Sequence, residues 1–270
     1  MSASQPGDQE RSIAFDGAAG FYDETRGFPP GEERAVAGLF VCAGALTPAS
    51  RVLEIGVGTG RIALPLAAHV GFYTGIDLAR PMMDRLRAKQ PGEPVALIQG
   101  DMTRLPLKSA AFDAVVAVHI FHLVPGWRAA LAEVARALRP GGLLLVGRTD
   151  GDRTPGEAIL WAAWESVVPR QRMAPVGVPR DRIGDFPQGE GWQPAGQPLV
   201  HRYLVTRRLR HFFDRLEQRT FSSSWRLSDD EIARGIGAAR AAADAHKLAL
   251  DAPFEHEQRF ILQAYQPPQR

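Results

Sequence analysis

The chain has 270 residues, 45% of them apolar and 23% charged, with a formal net charge of +2 and a single cysteine, Cys42. This length holds one large domain, or one domain with a sizeable insertion, and a core of normal size without covalent staples. The lone cysteine excludes an internal disulfide and a multi-cysteine zinc site, and the charge balance makes no bulk electrostatic case for nucleic acid or an anionic membrane. The polar segment from Ser2 to Ser12 lacks an apolar signal core, and no stretch approaches the roughly 20 apolar residues of a membrane helix, so the expected compartment is cytoplasmic.

Residues 1–12 are expected to be disordered, as chain ends commonly are. Phe15 to Arg26 reads as an amphipathic segment whose aromatic edge packs on the domain. Gly31 to Ala45 reads as a helix, with Ala35, Val36, Leu39, Phe40 and Ala43 at helical spacing, and Thr47-Pro48 ends it. Val52 to Ile55 is an apolar run that reads as a buried strand. Gly56-Val57-Gly58-Thr59-Gly60 forms a turn, and a helix running to about His69 follows. Strand, glycine turn and helix bring backbone N–H groups close to a ligand; glycine allows positive φ and leaves no Cβ in the way. His69 falls near the helix C-terminus, at the wrong end of the sheet for catalysis, and reads as structural.

Phe72 to Ile76 is the second strand. Asp77 ends it about twenty residues beyond the turn, where a carboxylate can accept both hydroxyls of a ribose, and Leu78 adjoins it. Pro81 opens a third helix with Met82, Met83, Leu86 and Ala88. Val95 to Gln99 is a short third strand that runs into Gly100-Asp101-Met102, where Asp101 reads as a ligand-binding acid in preference to the cap of a local turn. Phe112-Asp113 leads into the fourth strand, Ala114 to Val118. His119-Ile120-Phe121-His122-Leu123 lies just past it, on the side where open α/β sheets bind ligands. Trp127 to Leu138 is a helix, Arg139-Pro140-Gly141-Gly142 stops it, and Leu143 to Gly147 is the fifth strand. The alternation forces right-handed crossovers and a parallel sheet covered on both faces.

From Thr149 to Pro198 proline and glycine are frequent, and Trp161, Trp164 and Trp192 cluster there. Ile159 to Val168 fits one amphipathic helix, and Met173 to Gly191 is loop-rich. Leu199 to Val205 is a sixth strand. The helix from Leu209 to Leu216 follows, and Arg207, Arg208, Arg210 and Arg215 give this stretch a basic face that reads as solvated. Ser228 or Asp229 can cap a helix from Asp230 to about Leu248, and Glu257 to Tyr265 is the last strand.

Four signals stand in order along this chain. They are acid-x-Gly-x-Gly-x-Gly from Glu54 to Gly60, then Asp77, then Gly100-Asp101-Met102, then Leu138-Arg139-Pro140-Gly141-Gly142 before an apolar strand. On these residues the chain resembles the class I S-adenosylmethionine (SAM)-dependent methyltransferases, in the small-molecule, type 11-like branch. The resemblance covers residues 15–148; beyond them it is topological. It implies an α/β fold: a doubly wound, mostly parallel seven-stranded Rossmann-like sheet with an antiparallel last strand between strands five and six, and an inserted helical and loop substrate cap. It also implies a division into residues 13–148 as the SAM-binding core with an N-terminal lid, 149–198 as a substrate-pocket insertion and 199–270 as the C-terminal completion of the sheet.

The cofactor implied is SAM, with S-adenosylhomocysteine as product. The residues implied to hold it are Glu54, Gly56, Gly58 and Gly60 at the turn, Asp77 and Leu78 at the ribose, and Gly100, Asp101 and Met102 at the adenine amino group. Met82 reads as core or as the adenine face. The family's Tyr-Asp-x-x-Arg is matched by Tyr22, Asp23 and Arg26, which implies Tyr22 over the sulfonium and Arg26 paired with the methionine carboxylate. His119 packs against the methionine moiety or acts as a base, and His119, His122 and Tyr22 are the catalytic candidates. No acidic or histidine cluster surrounds the two histidines at ligand spacing, so neither reads as a metal ligand.

The activity implied is methyl transfer to a small-molecule acceptor, with O-, N- and C-methylation all open and no nucleic-acid or membrane partner. His119-Ile120-Phe121-His122 stands where an Asn/Asp-Pro-Pro-Tyr/Phe motif would be, which argues against methylation of DNA bases or protein glutamine. Two rivals stay open. One is a non-catalytic SAM-binding or protein-interaction member of the fold. The other is a nicotinamide-dependent oxidoreductase, against which the glycine spacing and Glu54 count.

Overall fold

Strands and helices alternate through the first half of the chain, and the sheet they build has the order β3-β2-β1-β4-β5-β8-β6, with β7 paired to β8 off that path. The structure is a computed structural model and describes residues 23, 26–90, 92, 95–179, 182–221 and 224–269. The expected disorder of residues 1–12 and the position of Tyr22 fall outside them. The strands are β1 (Arg51–Ile55), β2 (Phe72–Asp77), β3 (Val95–Gln99), β4 (Phe112–Val118), β5 (Leu138–Asp150), β6 (Gln193–Pro194), β7 (Leu199–Arg207) and β8 (Phe254–Gln266). β1 pairs in parallel with β2 and β4, β2 with β3, and β4 with β5; β8 runs antiparallel to β6. The fold is the doubly wound α/β sheet expected from the sequence, with β8 inserted between β5 and β6.

Among the described residues, the helices of five residues or more are α1 (Glu32–Ala43), α2 (Ala63–Ala67), α3 (Arg80–Ala88), α4 (Trp127–Ala137), α5 (Pro155–Val167), α6 (Arg210–Glu217) and α7 (Asp229–Ala245). Central strand β1 buries Val52, Leu53 and Ile55 completely. Leu53, Ile55, Val115, Leu144 and Val146 from the strands pack with Leu131 and Val134 of α4 into one core. Each such side chain removed from water stabilises the fold by about 1.5–3 kcal/mol. Asp113 accepts the Arg51 N–H at 2.7 Å and so ties the start of β1 to β4.

Several boundaries differ from the sequence expectation. β5 begins at Leu138, not Leu143, because Leu138 pairs with Phe112 across a register shift and Gly141 takes φ 80°, so the chain turns without leaving the ladder. α2 stops at Ala67 and His69 lies beyond it. α5 starts four residues earlier than Ile159 because Thr154 and Glu157 form a capping box: the Glu157 N–H donates to Thr154 Oγ1 at 3.2 Å and the Thr154 N–H to Glu157 Oε2 at 2.9 Å. Ser228 and Glu231 make the same device at the start of α7.

The chain divides into two units. The first holds the described residues up to Thr149, residues 176–201 and those from Phe260 onward. The second is Asp150–Pro175 with Arg202–Arg259. Trp192 is buried in the core of the first unit, whereas Trp164 is buried with Leu160, Phe212, Phe213 and Leu216 in the second, where Trp161 packs beside them. No helix among the described residues is long and apolar enough to cross a membrane.

Candidate active site

The carboxyl ends of β1, β2, β3 and β4 surround a cavity of about 600 Å³, its open mouth included. The turn after β1 supplies Gly56 and Gly58. The end of β2 supplies Ile76, Asp77 and Leu78, with Met82 behind them on α3. Gly100 and Met102 follow β3, and Val118, His119, Ile120, Leu123 and Val124 complete the wall.

Gly58 has φ 54°, in the left-handed region that favours glycine, and a Cβ there would meet only Met82 Cε, at 3.4 Å. The backbone therefore faces the cavity bare. Asp77 holds it there: its Oδ2 accepts the Gly58 N–H at 2.8 Å and its Oδ1 the Ala79 N–H at 2.8 Å. A carboxylate oxygen can accept more than one hydrogen bond. Gly60 serves packing instead, since a Cβ on it would lie 2.7 Å from Leu86 Cγ.

Of the residues singled out in the sequence, Gly56, Gly58, Asp77, Leu78, Met82, Gly100, Met102 and His119 line this cavity. Glu54, Gly60, Asp101, His122 and Arg26 do not, and Tyr22 lies outside the described residues. Asp101 Oδ1 accepts from the Thr103 N–H at 2.8 Å and the Thr103 hydroxyl at 2.9 Å, which makes it the cap of a local turn. His122 sits in a single 3₁₀ turn, Phe121–Leu123, and its carbonyl accepts the Gly177 N–H at 3.0 Å. The N-terminal segment reaches the glycine turn through two bonds. Thr59 Oγ1 donates to Asp23 at 2.5 Å, and Arg61 Nη1 donates to the Arg26 carbonyl at 2.7 Å. Lys89 at the end of α3 closes on Asp23 at 2.9 Å.

Glu54 is a core residue. It is 3% exposed, and its carboxyl accepts the Tyr73 hydroxyl at 2.7 Å. Burial pushes its pKa from 4.5 to about 8, against smaller downward effects of the Tyr73 bond and Arg61. The folded chain thus keeps the proton through a range in which the unfolded chain has lost it. Stability from this group is complete below pH 4.5 and falls as pH rises toward about 8. Glu54→Gln is therefore expected to remove a pH-dependent loss of about 3–5 kcal/mol. Urea melts of both proteins at pH 5 and pH 8 check this; parallel pH dependence in the two would show that Glu54 is ionised in the fold.

His119 has φ 52°, a strained backbone at the end of β4. Its Nε2 accepts the Thr149 N–H at 2.9 Å. Burial, and then the charges of Arg61, His122, Arg26 and Arg148, hold its pKa well below the usual histidine range. The ring is neutral, with its proton on Nδ1 and its only free lone pair already used. With Nε2 engaged by the Thr149 N–H, the ring is set to donate through Nδ1.

Comparison with known proteins follows the same lines. Residues 53–146 match the family model described as methyltransferase domain. An uncharacterized methyltransferase of Mycobacterium bovis is 37% identical over 146 residues, which is 54% of this chain and 56% of that protein. The fatty-acid O-methyltransferase of Mycolicibacterium smegmatis is 41% identical over 97 residues, 35% of each chain. The crystal structure of a proposed methyltransferase of Bacillus halodurans shares the fold at a TM-score of 0.57 and 17% identity, covering 88% of this chain and all of that one. The chain thus spans little more than half the length of the first of these relatives.

Proposed function

We propose that this protein, whose residues 53–146 match the methyltransferase-domain family model, binds SAM in the cavity beside the glycine turn and methylates a small-molecule acceptor. The observation that carries the reading is the pairing of a bare Gly58 with the Asp77 carboxylate at one cavity edge. A ribose fits that edge through hydroxyl donation to Asp77, a charge-assisted bond. Met82, Met102, Leu123 and Val124 offer an apolar sleeve for a flat purine. Asp101, between Gly100 and Met102 in the chain, is the candidate for the adenine amino group although it does not line the cavity, and Arg26 is the candidate partner for an amino-acid carboxylate.

SAM, when bound, supplies a methyl group on a sulfonium, a strong donor. The chain's own residues then need to bind, orient and keep out water, which is where much of such a rate arises. His119 fits a positioning role, since its Thr149 bond fixes the ring and leaves Nδ1–H to donate. The match to a fatty-acid O-methyltransferase supports a small metabolite as acceptor.

The test is release of S-adenosylhomocysteine from SAM over a panel of carboxylic acids, phenols and amines, between pH 5.5 and 8.5. The expected result is turnover of some acceptor with no step near pH 6.5 traceable to His119. Binding of SAM without turnover of any class would favour a non-catalytic member of the fold.

A further inference from the structure

We infer that Arg148 binds an anionic group of the acceptor, a carboxylate or a phosphate. The inference rests on the methyltransferase reading above and narrows its acceptor.

Arg148 lies in β5 next to Gly147, which stands opposite Val118 of β4, and it precedes the residue whose N–H holds His119. It is half-buried at the carboxyl edge of the sheet, outside the lining of the glycine-turn cavity. Among the described residues its guanidinium makes no hydrogen bond and no ion pair. A Cβ on Gly184 would lie 3.4 Å from the guanidinium carbon and from Nη2, so the guanidinium rests at van der Waals distance from the chain there. Tyr265, buried, donates instead to the Gly184 carbonyl at 3.0 Å, and Asp185 lies near that tyrosine without pairing to Arg148. A guanidinium carries five donors, and among the described residues none of those of Arg148 is taken.

The charges that act on His119 are cationic. Arg26, Arg61 and Arg148 all act on His119 as cations. SAM adds a sulfonium and an ammonium against one carboxylate, a further net positive charge beside the three arginines that act on His119. A cationic amine acceptor is repelled there, and an anion is drawn in. A planar guanidinium suits carboxylate and phosphate alike, by two parallel hydrogen bonds.

The experiment loads the full chain with S-adenosylhomocysteine and titrates it calorimetrically with sodium octanoate, inorganic phosphate and uncharged octanamide. Octanoate binding alone identifies a carboxylate acceptor, and phosphate binding alone a phosphorylated one. Arg148→Gln is expected to weaken the bound anion at least roughly tenfold, and Arg148→Lys less, with S-adenosylhomocysteine affinity held within about twofold. The inference is overturned if neither anion binds, if the Gln variant binds it equally well, or if octanamide binds as tightly. It is also overturned if Arg148→Gln weakens S-adenosylhomocysteine as much as the anion, because Arg148 then belongs to the cofactor's side. Failure of the unaltered protein to take up S-adenosylhomocysteine overturns the underlying reading, and this inference with it.

Discussion

Gly58→Val is expected to abolish SAM binding while leaving a folded protein. Two costs coincide at this position. The left-handed backbone, φ 54°, is strained for any residue with a Cβ, by about 1–3 kcal/mol, and β-branching makes it worse. The added methyl groups also enter the space the bare backbone leaves between Gly58 and Met82. Together they should lower affinity by more than roughly a hundredfold. Gly58→Ala separates the terms, since it brings the backbone strain with only one methyl group, and its loss should be the smaller. Calorimetric titration with SAM, alongside a thermal melt, checks both variants. Unchanged affinity in a folded Val variant would place the ligand elsewhere.

Asp77→Ala comes second in expected effect, and it acts twice. It removes the proposed ribose acceptor, and it leaves the Gly58 and Ala79 N–H groups without their partner. An unsatisfied buried donor costs about 1–3 kcal/mol. SAM affinity should fall by roughly 10- to 150-fold, and the melting temperature by several degrees. Asp77→Asn distinguishes shape from charge. Its amide carries one acceptor and one NH₂, so one of the two N–H groups faces a donor, and most of the stability loss should remain. A loss of affinity with no loss of stability in either variant would show that Asp77 does not hold the turn. No change in either property would move the ribose to another edge.

The cavity was legible in the sequence to the extent that one segment builds it. Gly56, Gly58, Asp77 and Leu78 act within a single strand–turn–helix–strand stretch, and their spacing alone puts them together. Glu54 belongs to the same motif, yet its place in the core depends on Tyr73, brought opposite by β1–β2 pairing. The state of His119 was not legible at all. It is set by Thr149, thirty residues on, and by three arginines from separate segments. Arg148 carried a weak signal, a lone cation directly after an apolar strand. The start of α5 carried a plain one: Thr154 and Glu157 have the spacing of a capping box. The extension of β5 back to Leu138 was hidden because Gly141-Gly142 resembles a stop, and only pairing with Phe112 shows that the strand continues through it.

The central claim, that the cavity beside Gly58 and Asp77 is a SAM site, is tested most directly by isothermal titration of the purified protein with SAM, S-adenosylhomocysteine and NAD. Saturable binding of the first two with no binding of NAD is the result expected. Binding of NAD in place of SAM, or of none of the three, would contradict it.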